Sequence, residues 1–159
     1  MDGRNVAVME RSITLPAPLV AVRDAMTRPG LMQAVCAPIL RFRLIHPPAW
    51  PDRFGPGAYA VQVRFLGVLP PGRQVINISF PPCPEGQFLM RDNGHAALIA
   101  RWDHRLTAIA DGTGRTRYTD RVEIEAGWKT ALVAAFARAL FAHRQRRLHH
   151  LATTGFAGI

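Results

Sequence analysis

The sequence predicts an α+β fold: a curved antiparallel sheet of about seven strands around one long C-terminal helix, with two short helices after the first strand. Three observations carry that prediction. Through the middle of the chain apolar side chains recur at every second position, as in Val61, Val63 and Phe65, then Ile76, Ile78 and Phe80, then Phe88 and Met90, then Tyr118, Val122 and Ile124. Successive strand side chains point to opposite faces, so this pattern describes a sheet with one oily face and one wet face. From about Trp128 the apolar period changes to 3.6, with Leu132, Val133, Phe136, Leu140, Phe141, Leu148 and Leu151 forming a helical stripe. A one-sided sheet and an amphipathic helix bury each other when the sheet bends around the helix.

The elements follow in order. Residues 5–15 read as a first strand, and Pro16-Ala17-Pro18 ends it and opens a helix, because proline suits a first helical turn. Val22 and Met26 share one face of that helix. Pro29-Gly30 stops it, and Leu31 to Val35 forms a further short turn. A strand follows near Leu40 to Ile45, and Pro47, Pro48, Pro51, Gly55, Pro56 and Gly57 punctuate the loop after it. The turn at Pro70-Pro71-Gly72 pairs Phe65 with Ile76 and Val63 with Ile78. The loop 81–86 brings Phe80 to Phe88 and Ile78 to Met90, and a turn at Asn93-Gly94 brings Phe88 to Trp102. The hairpin at Asp111-Gly112-Thr113-Gly114 sets Leu106 against Tyr118, His104 against Asp120 and Trp102 against Val122. A one-residue slip would invert the oily face, whereas a slip of two would preserve it. Residues 152–159 read as a loose tail. The whole of 1–159 reads as a single domain, with its core at about 5–151.

Composition narrows the classes. The chain has 159 residues, 48% hydrophobic and 19% charged, with a formal net charge of +9. All but one of its 20 basic residues are arginine, the exception being Lys129. That bias, with many Ala, Gly and Pro, also follows from a GC-rich genome. The charge permits attraction to anions, nucleic acid or acidic lipid. The arginines, however, alternate along strands among Asp and Glu, and no RNA-binding aromatic motif or zinc-finger spacing appears, so nucleic-acid binding is set aside. No apolar run reaches the roughly 20 residues of a bilayer span. The start Met1-Asp2-Gly3-Arg4-Asn5 has no signal-peptide pattern. With Cys36 and Cys83 alone, a reduced cytoplasmic protein is expected. Neither cysteine has a ligand-spaced neighbour, and His143 and His150 share a helical face without a nearby carboxylate. No metal site and no cofactor is therefore expected.

The layout resembles the START/Bet v 1-like helix-grip (SRPBCC) superfamily, and within it the bacterial polyketide cyclase/dehydrase-type ligand-binding proteins. The resemblance runs over about residues 5–151. It is carried by Ser12-Ile13-Thr14-Leu15-Pro16-Ala17-Pro18, Phe88-Leu89-Met90-Arg91-Asp92, Arg101-Trp102-Asp103-His104-Arg105-Leu106 and Tyr118-Thr119-Asp120-Arg121-Val122-Glu123, with the basic helix end Phe141-Ala142-His143-Arg144-Gln145-Arg146-Arg147-Leu148. These motifs speak to the fold more than to chemistry, since such proteins include carriers, receptors and cyclases. The resemblance implies a hydrophobic pocket between sheet and C-terminal helix. Its expected lining is Val63, Phe65, Ile76, Ile78, Phe80, Phe88, Met90, Trp102, His104, Tyr118, Val133, Phe136 and Leu140.

Two ionisable residues, His104 and Asp120, break the oily parity, and a charge on a buried face needs a partner or a use. One reading makes them catalytic: Asp120 orients His104 as a base for a proton beside a carbonyl, and Tyr118 donates to the developing enolate. The other makes them a mutually satisfied pair that locks strand register, and this structural reading takes precedence because buried polar groups usually occur as partnered sets. Asp92 shares the inward parity, but an Asn93-Gly94 turn would leave it too far along the strand to cooperate with His104. Capping that turn is its expected role.

Three functions result. The first is binding of a small hydrophobic, aromatic or lipid-like molecule, as a monomer or homodimer. The second is a cyclase/dehydratase-type enzyme using His104, Asp120 and Tyr118. The third is a basic interaction module that meets an acidic partner or, peripherally, a membrane.

Overall fold

In a computed structural model of the protein, residues 5–68 and 72–159 are described. The chain runs β1 (Val6–Leu15), α1 (Leu19–Met26), α2 (Pro29–Cys36), β2 (Leu40–His46), β3 (Gly57–Phe65), β4 (Gly72–Ser79), β5 (Gln87–Ala96), β6 (Ile99–Ala110), β7 (Thr116–Glu125) and α3 (Thr130–Thr153). The seven strands form one curved antiparallel sheet in the order β1-β7-β6-β5-β4-β3-β2, with β1 and β2 at its edges. The helix-grip α+β fold expected from the sequence is the fold observed.

Proline starts the second helix rather than merely stopping the first, because Pro29 occupies the first turn of α2, where its missing N–H costs nothing. A tight corner then turns β7 into α3. Gly127 takes a φ of 57°, in the left-handed region that suits glycine. Buried Thr130 fixes the corner, its hydroxyl accepting from the Ala126 N–H at 2.9 Å and donating to the Gly127 carbonyl at 2.7 Å.

Helix α3 lies on β1 and β7 through Met9, Val122, Ile124, Ala134, Ala137 and Phe141. Alanines on this face let helix and sheet approach closely, and Phe141, fully buried, fills the seam. A larger core gathers α1, α2 and the rest of the sheet around Leu15, Val22, Val61, Ile76, Ile78 and Leu106. Leu132, placed by the sequence in the helical stripe, instead faces solvent at 71% exposure.

The inward parity holds on every strand, but each predicted register moves by an even number of residues. Ile76 pairs with Tyr59 and Val63 with Gly72, six residues from the expected pairing. The Pro70 and Pro71 of the expected turn lie outside the described residues. Ile78 pairs with Asp92, two residues from Met90. Phe88 pairs with Ala108, six residues from Trp102, because β5 runs straight through Asn93-Gly94 and turns at Ala97-Leu98. Gly94 is no turn residue: a Cβ there would drive into the Val75 carbonyl oxygen of β4. Leu106 pairs with Asp120 and His104 with Val122.

The end of the chain is packed rather than loose. Phe156 is buried, and the Ile159 carbonyl accepts a hydrogen bond from Arg28 at 3.0 Å.

Candidate functional site

Between the concave face of the sheet and the helices lies a cavity of about 240 Å³. Ile76, Ile78, Met90 and Leu106 form its sheet wall, and Val133, Phe136, Leu140 and Leu148 its α3 wall. Ten of the thirteen residues expected on the lining are there: Val63, Ile76, Ile78, Met90, Trp102, His104, Tyr118, Val133, Phe136 and Leu140. Three are not. Phe65 packs against the ring of Phe136, 5.3 Å between centroids, and does not itself face the cavity. Phe80 and Phe88 pack on each other at 6.0 Å, with the Arg23 guanidinium of α1 over the Phe88 ring. The six-residue register difference between β5 and β6 carries Phe88 away from Trp102 toward that end of the sheet.

The wall has a second half, built mostly from residues outside the strands. Met26, Leu31, Met32 and Val35 of the helix pair, Leu40 and Phe42 of β2, and Phe54 of the following loop also line the cavity. Phe54 is held edge-on to Tyr59 at 5.1 Å and to Trp50 at 6.1 Å. The Tyr59 hydroxyl bonds the Gly55 carbonyl at 3.1 Å, which ties the loop down.

Polar groups gather on the β6–β7 side. His104 and Asp120 are diagonal rather than opposite, since Leu106 and not His104 faces Asp120 in the ladder. Diagonal neighbours are within reach when one side chain is long or aromatic. His104 Nε2 lies 2.8 Å from Asp120 Oδ1. The Tyr118 hydroxyl donates to the same oxygen at 2.8 Å, and Gln145 Nε2 of α3 donates to Oδ2 at 2.9 Å. Gln145 Nε2 also donates to the Arg11 carbonyl of β1 at 2.8 Å, so one amide joins α3, β1 and β7. Gln145 Oε1 is the one buried side-chain polar atom among the described residues without a partner.

Burial and charge set the protonation states. Burial pushes the His104 imidazole below its ordinary value, against the pull of Asp120, so the ring is neutral at pH 7. With Nε2–H directed at Asp120, Nδ1 of the neutral ring carries the lone pair. Burial opposes ionisation of Asp120, but the hydrogen bond from His104, the Arg144 charge and the Gln145 amide outweigh it and hold the carboxyl below its usual range. The Tyr118 phenol is pushed well above 10 by burial and by the Asp120 charge, so it stays protonated.

Asp92 is adjacent to His104 in the β5–β6 ladder, not remote from it. Its Oδ1 accepts from the Asn77 N–H at 2.8 Å, where β4 and β5 interrupt their own backbone pairing. Burial raises its pKa to about 7, with hydrogen bonds from Asn77 and Gly94 and the Arg144 charge opposing.

Two polar lining residues on α3, Arg144 and Gln145, are absent from the expected set, as is the apolar Leu148. The sequence carried a signal for both polar residues. They fill the gap between Phe141 and Leu148 in the apolar stripe, as His104 and Asp120 interrupt the oily parity of the sheet. The Arg144 guanidinium lies 4.8 Å from the centroid of the Phe141 ring, and its NH1 donates to Cys36 Sγ at 3.4 Å. His143, one residue before Arg144, bonds the Ala37 carbonyl at 2.8 Å through Nε2.

Comparison with known proteins agrees with this architecture. Residues 14–151 match the family described as a domain of unknown function, DUF8410. No curated protein matches the sequence. Among solved structures, the chain is similar to the Zhui aromatase/cyclase from a Streptomyces species, with 12% identity over 93% of this chain and 92% of that one, TM-score 0.59. It is also similar to a START superfamily protein from Mycobacterium smegmatis, with 12% identity over 92% and 97%, TM-score 0.61. A third is norcoclaurine synthase from Thalictrum flavum, in complex with dopamine and hydroxybenzaldehyde, with 11% identity over 94% and 88%, TM-score 0.64. Identities this low speak for the fold alone, which is the START/Bet v 1-like fold.

Proposed function

This chain belongs to the DUF8410 family, on a START/Bet v 1-like fold, and from that premise we propose that it binds a small hydrophobic or aromatic molecule between the sheet and α3. The observation that carries the proposal is the cavity of about 240 Å³, walled largely by apolar side chains from four parts of the fold, with His104, Tyr118 and Gln145 gathered around Asp120 on one side. That is how small-molecule sites are built: apolar walls supply affinity and a few polar groups set orientation. The volume suits one or two rings better than a long-chain lipid. Two unpaired cysteines, one of them exposed, fit a reducing, cytoplasmic setting.

Ligand-linked stability tests this. Naphthalene-type ligands should raise the melting temperature of the wild type, since a ligand at about 100 times its Kd adds about 2.7 kcal/mol. Ile78→Trp, which fills the cavity from the sheet side, should abolish the shift. Native mass spectrometry of the protein as purified should find an apolar small molecule released on denaturation. A panel of one- and two-ring compounds that leaves the melting curve unmoved would sink the proposal.

One observation favours a second reading, an enzyme of cyclase or dehydratase type: neutral His104 carries a ring lone pair suited to accepting a proton. Tyr118 fits the enolate-donor role less well, because its hydroxyl hydrogen is directed to Asp120. On this reading His104→Gln binds substrate as the wild type does and turns it over at least about 100-fold more slowly. Equal turnover in the two proteins excludes His104 as the base.

A further inference from the structure

We propose that the cavity takes an acid: a small apolar molecule whose carboxylate is held by Arg144. This rests on the binding reading above and narrows it to one chemical class. Arg144 leaves the middle of α3, is half-buried, and lines the cavity. Its guanidinium offers five N–H donors in a planar fork and keeps its charge at any working pH. One donor is directed at Cys36 Sγ, a weak acceptor. The carboxylate on the same wall, Asp120, forms no ion pair with it, because its oxygens are turned to His104, Tyr118 and Gln145.

Asp120 is near enough for its charge to act on the guanidinium, but among the described residues no carboxylate forms an ion pair with Arg144, so its fork lacks a bidentate partner. The guanidinium carbon lies over the Phe141 ring and one of its N–H groups is directed at Cys36, so the head group is held in place before a ligand arrives. A carboxylate matches that fork with two parallel hydrogen bonds, and no neutral group uses it as fully. The apolar remainder of the ligand would then lie along Ile76, Ile78, Met90 and Leu140.

The test uses acid and amide pairs of one skeleton, naphthoic acid with naphthamide and phenylpropionic acid with its amide. Each is titrated calorimetrically into the full chain as wild type, Arg144→Lys and Arg144→Gln, with naphthalene as the uncharged reference. The wild type should bind at least one acid about tenfold or more tightly than its amide, as charged hydrogen bonds replace neutral ones. Arg144→Gln should lose that preference on the acid side while amide affinity holds, and Arg144→Lys should keep part of it. Equal affinity for acid and amide in the wild type, or a preference unchanged in Arg144→Gln, overturns the assignment and leaves hydrophobic binding standing. Failure of the acids, the amides and naphthalene alike overturns both. Should Arg144→Gln not fold, the wild-type pairs and Arg144→Lys decide.

Discussion

Asp92 shows what one buried carboxyl does to a fold. Its pKa in the folded chain is about 7, against about 3.9 for an unfolded aspartate. Between those values the native state keeps a proton that the unfolded chain has released, so its contribution to stability falls as pH rises from about 4 to about 7. His104, held neutral by burial, acts in the opposite sense as pH drops below about 6.5, because the unfolded imidazole gains a proton that the native one resists. The informative quantity is therefore the difference between wild type and Asp92→Asn, which keeps the acceptor for the Asn77 N–H. Urea unfolding from pH 4 to pH 8 should show the variant gaining on the wild type by up to about 4 kcal/mol. A difference that does not change with pH would mean that Asp92 is ionised throughout. Sequence reading placed Asp92 on the correct face and gave it the wrong neighbours. Asn-Gly is the commonest short hairpin turn, and nothing local says that here the glycine serves close approach of the Val75 carbonyl oxygen.

At the scale of elements, strand parity was legible and register was not. A pattern of period two is unchanged by a shift of two or six residues, so the inward faces of β3 to β7 could be read while every pairing moved. The His104–Asp120 contact survived such a shift because it is diagonal and the imidazole is long enough to bridge it. Helix α3 was legible as a stripe, but its polar members were assigned to the helix terminus. The helix runs on to Thr153, which leaves Arg144 and Gln145 in its interior against the cavity. The seam of α3 with β1 and β7 depends on Phe141, which contacts the rings of Trp102 and His104 as well as the Arg144 guanidinium. Phe141→Ala should cost about 3–5 kcal/mol. In urea the midpoint falls while the slope stays constant, since the surface exposed on unfolding changes little. A loss below about 1 kcal/mol would show that the seam closes over the gap.

Taken whole, the molecule divides its polar residues between two environments. Arginines and acids share the convex face of the sheet, as in the Arg91–Asp103 pair, whose two hydrogen bonds are each 2.8 Å. On the concave side, buried His104, Tyr118 and Gln145 all hydrogen-bond to Asp120. Fold class, element order and the need for an apolar interior were all readable from the sequence, since they depend only on which face each residue takes. The hollow was expected from the family resemblance and not from the residue pattern, because its size depends on how far the helix pair and the loop at Phe54 stand from the sheet. The edge strand β2 carries a further consequence. Arg41 and Arg43 stand exposed on one side of it, with Arg64 opposite Arg41 on β3. A second copy adding its own β2 across this edge in antiparallel fashion, with Phe42 against Phe42, would set Arg41 against Arg43 on both sides of that pair. Growth of the sheet into ribbons or fibrils is thereby opposed by the same residues that give the chain its positive charge.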